Sequence, residues 1–309
     1  MLVNALLKTL RLLIPTLIIL AVGAGLLNRL PALPLHYQPL FSQLPYLLAA
    51  ISLVLCTSFN QGRLFLSTLN LLCLFGLIQL QLQTSLDNPA NYVLFTLLSL
   101  WFPLQQTLLS LYGERGISLH WALPRSLIII SGYLVLYALY QTGVLAAWIT
   151  VLPMSLMELA FGDLLLSQGA TSVYLLALLC GMLILSLRST LVDAALFGAT
   201  LGSALTLLLF DSAFISALYA SLTLLLFLYT VLFNSYSMAF IDELTGLPGR
   251  RPGTAYGRQP DETGGKRRQC IPVWRRGVHS GVQAQRRSHG PADRRTGAGS
   301  DRQLPDADP

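Results

Sequence analysis

Eight stretches of this chain are predominantly apolar for about 20 residues each, the length a helix needs to cross a bilayer core about 30 Å thick. They run over 10–28, 40–59, 64–83, 91–112, 124–142, 171–187, 190–210 and 213–236. Lipid offers the backbone no hydrogen-bond partner, so only helices and closed barrels cross it. Barrel strands would read as short alternating segments, whereas these runs are long and continuous, which predicts an all-α polytopic membrane protein. The stretch 144–162 is apolar too, with Pro153 and Glu158 inside it and Asp163 just beyond. It reads as a ninth span, a re-entrant piece or an interfacial helix. Lys8 and Arg11 precede the first run without a small-residue cleavage site, so that run reads as an uncleaved helix.

Charge orients the spans. With eight crossings and a cytoplasmic start, Lys8, Arg11, Arg63, Arg115, Arg125 and Arg188 fall inside and Arg29 outside, as the positive-inside rule requires. Both termini are then cytoplasmic. The outside loop after the first span carries Pro31, Pro34 and Pro39 and reads as irregular. Trp101, Trp121 and Trp148 read as belt residues near span ends.

Residues 1–248 hold seven basic and eight acidic side chains, and residues 249–309 hold 13 basic and six acidic. The basic character of the chain therefore belongs to its tail, and nucleic acid is not an expected partner. Cys56, Cys73, Cys180 and Cys270 form no CxxC pair, so neither a metal site nor a disulfide framework is expected. Asp193, inside the seventh span, is a functional candidate because carboxylates are costly in lipid. The competing reading is a helix-end salt bridge to its near neighbour Arg188, or snorkelling to the membrane surface.

After the last span the chain reads DELTGLPGRR over 242–251. This resembles the opening motif DxLTGLPNRR of diguanylate cyclase (GGDEF) domains. Asp242, Leu244, Thr245, Gly246, Leu247, Pro248, Arg250 and Arg251 match, and Gly249 stands where the family has Asn. Asp242 suits a helix end, and Thr245-Gly246 and Pro248-Gly249 are turn chemistry. The resemblance implies a membrane-anchored enzyme of the bacterial inner membrane that joins two GTP molecules into cyclic di-GMP with Mg²⁺. It implies a homodimer through the transmembrane helices, because two catalytic domains must meet. In the family this motif couples the signalling helix to the catalytic domain, while metal and nucleotide are held by DxDxFKxxND and GG(D/E)EF. Neither string occurs here, and Gly264-Gly265 is followed by Lys266 and Arg267. The resemblance thus assigns no catalytic, cofactor-binding or metal-ligating residue to this chain, and whether it is an enzyme stays open.

Residues 252–309 are 58 in number, against about 100–150 for a typical domain. Rich in Arg, Gly, Pro and Gln, they predict a disordered tail. A basic segment that touches anionic lipid would account for them, as would a reading-frame shift after Arg251. The residues from Gly281 to Arg286 can be encoded so that the next frame reads GFKPND, an echo of the missing family string. The expected organisation is a membrane sensor region (1–236), a helix end with the remnant start of an α/β catalytic domain (237–251), and the tail (252–309). The rival functions are a transporter-like membrane protein and a scaffold that pairs with an intact cyclase.

Overall fold

The computed structural model describes residues 2–27, 29, 34, 36–83, 86, 88–114, 116–117, 119–148, 159–161, 164–210 and 214–240. All of them fall in one compact unit. In chain order the elements are α1 (Leu2–Leu27), α2 (Gln38–Ser58), α3 (Gly62–Gln81), α4 (Pro89–Leu111), α5 (Leu119–Gln141) and α6 (Val144–Trp148). A hairpin of β1 (Leu159–Phe161) and β2 (Leu164–Ser167) follows, then α7 (Gln168–Arg188), α8 (Leu191–Leu208) and α9 (Ile215–Phe240). Among the described residues, eight helices, all but α6, are long and apolar enough to cross a membrane. The motif over 242–251 and the tail lie outside the described residues.

Burial sorts the spans into two groups. Between 56% and 78% of the apolar window is buried in α3, α4, α8 and α9, but only 22–28% in α1, α2, α5 and α7. The first group is the centre of the bundle. The second presents leucines outward, with Leu179 and Leu187 of α7 each at least 69% exposed. A soluble protein does not leave such continuous apolar surface bare, whereas hydrocarbon covers it without penalty. The architecture is that of a multi-pass membrane protein. Helix α9 is the most buried span and packs against α8, α2, α1 and α3.

Local chemistry sets several helix ends. The Asn88 side chain accepts from the Ala90 amide at 3.0 Å, with Pro89 in the first turn of α4. Ser167 accepts from the Ala170 amide and starts α7. Asn60 takes a left-handed conformation (φ 56°) between α2 and α3, and its Oδ1 accepts from the Ile117 amide at 2.6 Å. The α2–α3 turn is thereby tied to the α4–α5 connection.

The 144–162 region resolves into a return, with one departure from the all-α expectation. Arg125, near the start of α5, lies 4.0 Å over the Tyr112 ring that follows α4. Arg188, the last residue of α7, donates to the Tyr112 carbonyl at 2.9 Å. The start of α5 and the end of α7 therefore share one end of the bundle. The connection between them begins and ends at the other end and makes no net crossing. It contains α6 and the antiparallel β1–β2 hairpin, whose short strands carry too few residues for periodicity to reveal. Residues 149–158 lie outside the described residues.

Trp101 departs from its belt assignment. It sits at the middle of α4 and packs on Gly132 of α5, where an added Cβ would land within the indole ring. Gly132→Ala should therefore lower stability by about 1 kcal/mol through overpacking. Thermal unfolding in detergent checks this, and an unchanged midpoint counts against the close α4–α5 approach.

Candidate functional site

Four helix ends converge on Asp193. It occupies the third position of α8, where a carboxylate is favoured by the helix dipole. Thr190, the N-cap, accepts from the Asp193 amide at 3.2 Å and donates its hydroxyl to Asp193 Oδ2 at 2.6 Å. The other carboxylate oxygen, Oδ1, accepts from Arg63 Nη2 at 2.5 Å. Both partners are sealed from solvent, with side chains 1% and 7% exposed. Arg188 Nη1 stands 3.9 Å from the same oxygen.

The two arginines also close the end of α4. A helix leaves its last four carbonyls without internal partners. Here Arg63 donates Nε to Leu109 O (3.3 Å) and Nη2 to Ser110 O (3.0 Å). Arg188 donates to Ser110 O (3.0 Å), Leu111 O (2.7 Å) and Tyr112 O (2.9 Å). Cations at a helix C-terminus are favoured by the dipole, and guanidinium has enough donors to serve several carbonyls at once. Glu114 completes the set by accepting from the Gly62 and Arg63 amides at 2.8 and 3.3 Å at the start of α3. Each terminus thus meets the charge its dipole prefers. The α8 and α3 starts face carboxylates, and the α4 end faces guanidiniums.

A second polar cluster begins one turn deeper along α3. Ser67 and Asn70 follow Arg63 at helical spacing, so the three share a face. Gln106 of α4 donates Nε2 to Ser67 Oγ at 2.7 Å, and its Oε1 accepts from Ser67 Oγ (3.1 Å) and Asn70 Nδ2 (3.3 Å). Tyr133 of α5 donates to Asn70 Oδ1 at 2.8 Å, and Gln106 Nε2 also reaches Leu196 O of α8 at 3.5 Å. All four side chains are at least 96% buried. Three interior helices and α5 are thereby stitched together inside the apolar zone.

No family model, curated protein or solved structure matches this chain. The site must therefore be read from its own chemistry.

Asp193 is buried and charge-paired as expected of an intramembrane carboxylate, but its main partner is not the neighbour Arg188. Arg63, 130 residues away in sequence, makes the short contact. The neighbour Arg188 is the more distant of the two ion-pair partners, at 3.9 Å, because it directs its hydrogen bonds to the α4 carbonyls. Arg63, Glu114, Asn70 and Gln106 were not singled out by sequence. The signal was present in α3, where Arg63, Ser67 and Asn70 recur at spacings of four and three in an otherwise apolar run. Asp242, Leu244, Thr245, Gly246, Leu247, Pro248, Arg250 and Arg251 lie outside the described residues, as do Glu158 and Asp163. Among the described residues no group of three or more His, Cys, Asp or Glu side chains comes together. The arrangement holds helix ends in register. It presents no nucleophile beside a base and no open metal shell.

Proposed function

We propose that this chain is the membrane sensor and anchor region of a diguanylate cyclase, with no catalytic motif in residues 252–309. The observation that carries the reading is the string DELTGLPGRR over 242–251, which starts two residues after α9 ends at Phe240. The bundle supports it in a further way. Helix α9 is the most enclosed span and touches α1, α2, α3 and α8, so a rearrangement in any of them is felt by the helix that precedes the motif.

Arg63, Arg125 and Arg188 gather at one end of the bundle, and α9 finishes at that same end because it runs antiparallel to α8. The positive-inside rule makes that end cytoplasmic in a bacterial inner membrane, where GTP is available. The parent enzyme would bind GTP with Mg²⁺ on its own catalytic strands and pair through the membrane helices to bring two such domains together. Residues 252–309 carry neither DxDxFKxxND nor GG(D/E)EF. Divalent metal chemistry on phosphates needs carboxylates of that kind.

Two measurements test the reading. The purified chain incubated with GTP and Mg²⁺ should yield no cyclic di-GMP, and product formation overturns the inactive assignment. Residues 1–251 fused in frame to an intact GGDEF domain should raise cellular cyclic di-GMP severalfold over the free domain. A fusion no more active than the free domain sinks the sensor assignment. Reading the gene in all three frames decides the origin of the tail, since a frame shift requires a GGDEF string downstream in another frame.

A further inference from the structure

We propose that α9 is a sliding helix, one that shifts along the Gly198–Gly202 face of α8 while α8 stays fixed to α3, α4 and α7. This deepens the reading of α9 as the output helix of a sensor, and it rests on that reading for its purpose only.

Both helices turn hydroxyls back on themselves, as Thr200, Ser203 and Thr206 do on α8, but α8 also has side-chain bonds to its neighbours. Helix α8 is tied down along its length. Asp193 binds Arg63, the Ala194 carbonyl accepts from Thr16, the Leu196 carbonyl accepts from Gln106, and Ser203 accepts from the Tyr174 hydroxyl. On α9 four hydroxyls turn back on their own helix. Thr223 donates to Tyr219 O, Thr230 to Leu226 O, Ser235 to Val231 O and Ser237 to Asn234 O. Such bonds satisfy the hydroxyls in any register of the helix against its neighbour.

The surface beneath α9 is smooth where it matters. A Cβ added at Gly198 would come within 2.6 Å of Leu226, and one at Gly202 within 2.7 Å of Thr223 Oγ1. Glycines four apart bring two helices close and remove the ridges that would otherwise interlock with the partner. Beside this track lies a void of about 10 Å³ between α3, α8 and α9, bordered by Ser203 and Thr206 on one side and Ser216 and Thr223 on the other. The contact is close but incompletely filled.

Helix α9 also carries unmet demands in its present position. The Ser221 hydroxyl is buried, 4% exposed as a residue, and has no partner. Phe214, just before the first turn, holds φ at 62°, a region that bulky side chains rarely adopt. A shift of α9 changes the surroundings of Ser221 and relieves or reverses the backbone at Phe214, whereas the α3–α8 ion pair is untouched.

Disulfide formation decides the matter, because it requires Cβ atoms about 4 Å apart and one helical turn is about 5.4 Å. The full chain is prepared with Cys56, Cys73, Cys180 and Cys270 changed to Ala and reconstituted in liposomes. Thr206→Cys is then paired in turn with Ser216→Cys, Ala220→Cys and Thr223→Cys under a mild oxidant. A sliding helix gives cross-links with partners a turn apart at rates within about tenfold of each other. Gly202→Ala should suppress the minor product roughly fivefold by filling the track, with Gly198→Ala as the substitute if that variant does not fold. Gly76→Ala, whose added Cβ meets nothing within 4 Å, should leave the pattern unchanged. A single partner that cross-links, or product ratios indifferent to both track substitutions, overturns the proposal. Such a failure leaves the cyclase reading standing, and a failed fusion to the catalytic domain leaves the slide standing.

Discussion

Asp193→Ala should cost the bundle about 3–5 kcal/mol, because it strands the Arg63 guanidinium, whose side chain is only 7% exposed, without its counter-charge. The carbonyls of Leu109 and Ser110 still accept from Arg63, but they cannot neutralise it. Arg188 adds a second cation 3.9 Å from the vacated position, so the loss leaves two like charges face to face. The reciprocal change is expected to behave differently. Replacing both members, as Arg63→Met with Asp193→Leu, removes the charges together and should fall within about 1 kcal/mol of the parent once the α4 carbonyls find water or Arg188. Unfolding midpoints in detergent or nanodiscs compare the set. If Asp193→Ala unfolds like the parent, the ion pair does not hold the helix ends. If the double replacement is as damaging as the single one, shape rather than charge is what the site contributes.

Gln106→Leu is the second large effect. Its amide serves Ser67, Asn70 and the Leu196 carbonyl, so its loss leaves several buried polar groups without partners at about 1–3 kcal/mol. Tyr133→Phe cuts a single bond at the edge of the same cluster. Interhelical hydrogen bonds in membranes average about 0.6 kcal/mol, and this one should cost about that. The ratio of the two is the informative quantity. Equal costs would mean that the cluster is a set of independent pairs.

Much of the fold was legible in the sequence because lipid imposes one simple demand, about 20 apolar residues per crossing. The eight expected spans match the eight helices, with ends displaced by a few residues. The largest displacements are at the starts of α1 and α5. Helix α1 begins at Leu2, eight residues before the expected start, and α5 at Leu119, five residues before its own. Hydropathy marks where lipid contact stops, not where the backbone stops being helical, so both ends run on. The hairpin at 159–167 escaped because an apolar strand of three or four residues is indistinguishable from part of an apolar helix.

The site was legible only in half. Asp193 stood out because a carboxylate in an apolar run is unusual. Sequence proximity names only the more distant of its two partners, Arg188, whereas Arg63 reads simply as a cation that orients the chain. A charge at a span end satisfies the positive-inside rule whether it faces water or reaches inward to a carboxylate, and only packing distinguishes the two. Trp101 failed for the complementary reason. A tryptophan within a span fits an interfacial belt by type, but here Gly132 makes room for the ring at mid-helix.

The bond between Arg63 and Asp193 also sets a condition on biogenesis. The two residues are separated by 130 positions. At about 5–20 residues per second, the ribosome delivers Asp193 roughly 7–26 s after Arg63. For that interval the third helix carries a cation with no carboxylate to receive it, and three further spans are inserted before relief arrives. The nascent chain must keep that arginine at the lipid headgroups, or in the custody of the insertion machinery, until the eighth helix closes the circuit. Chains interrupted in this window would display an unpaired charge near the membrane surface. That is a mark by which a quality-control protease could tell an unfinished bundle from a finished one.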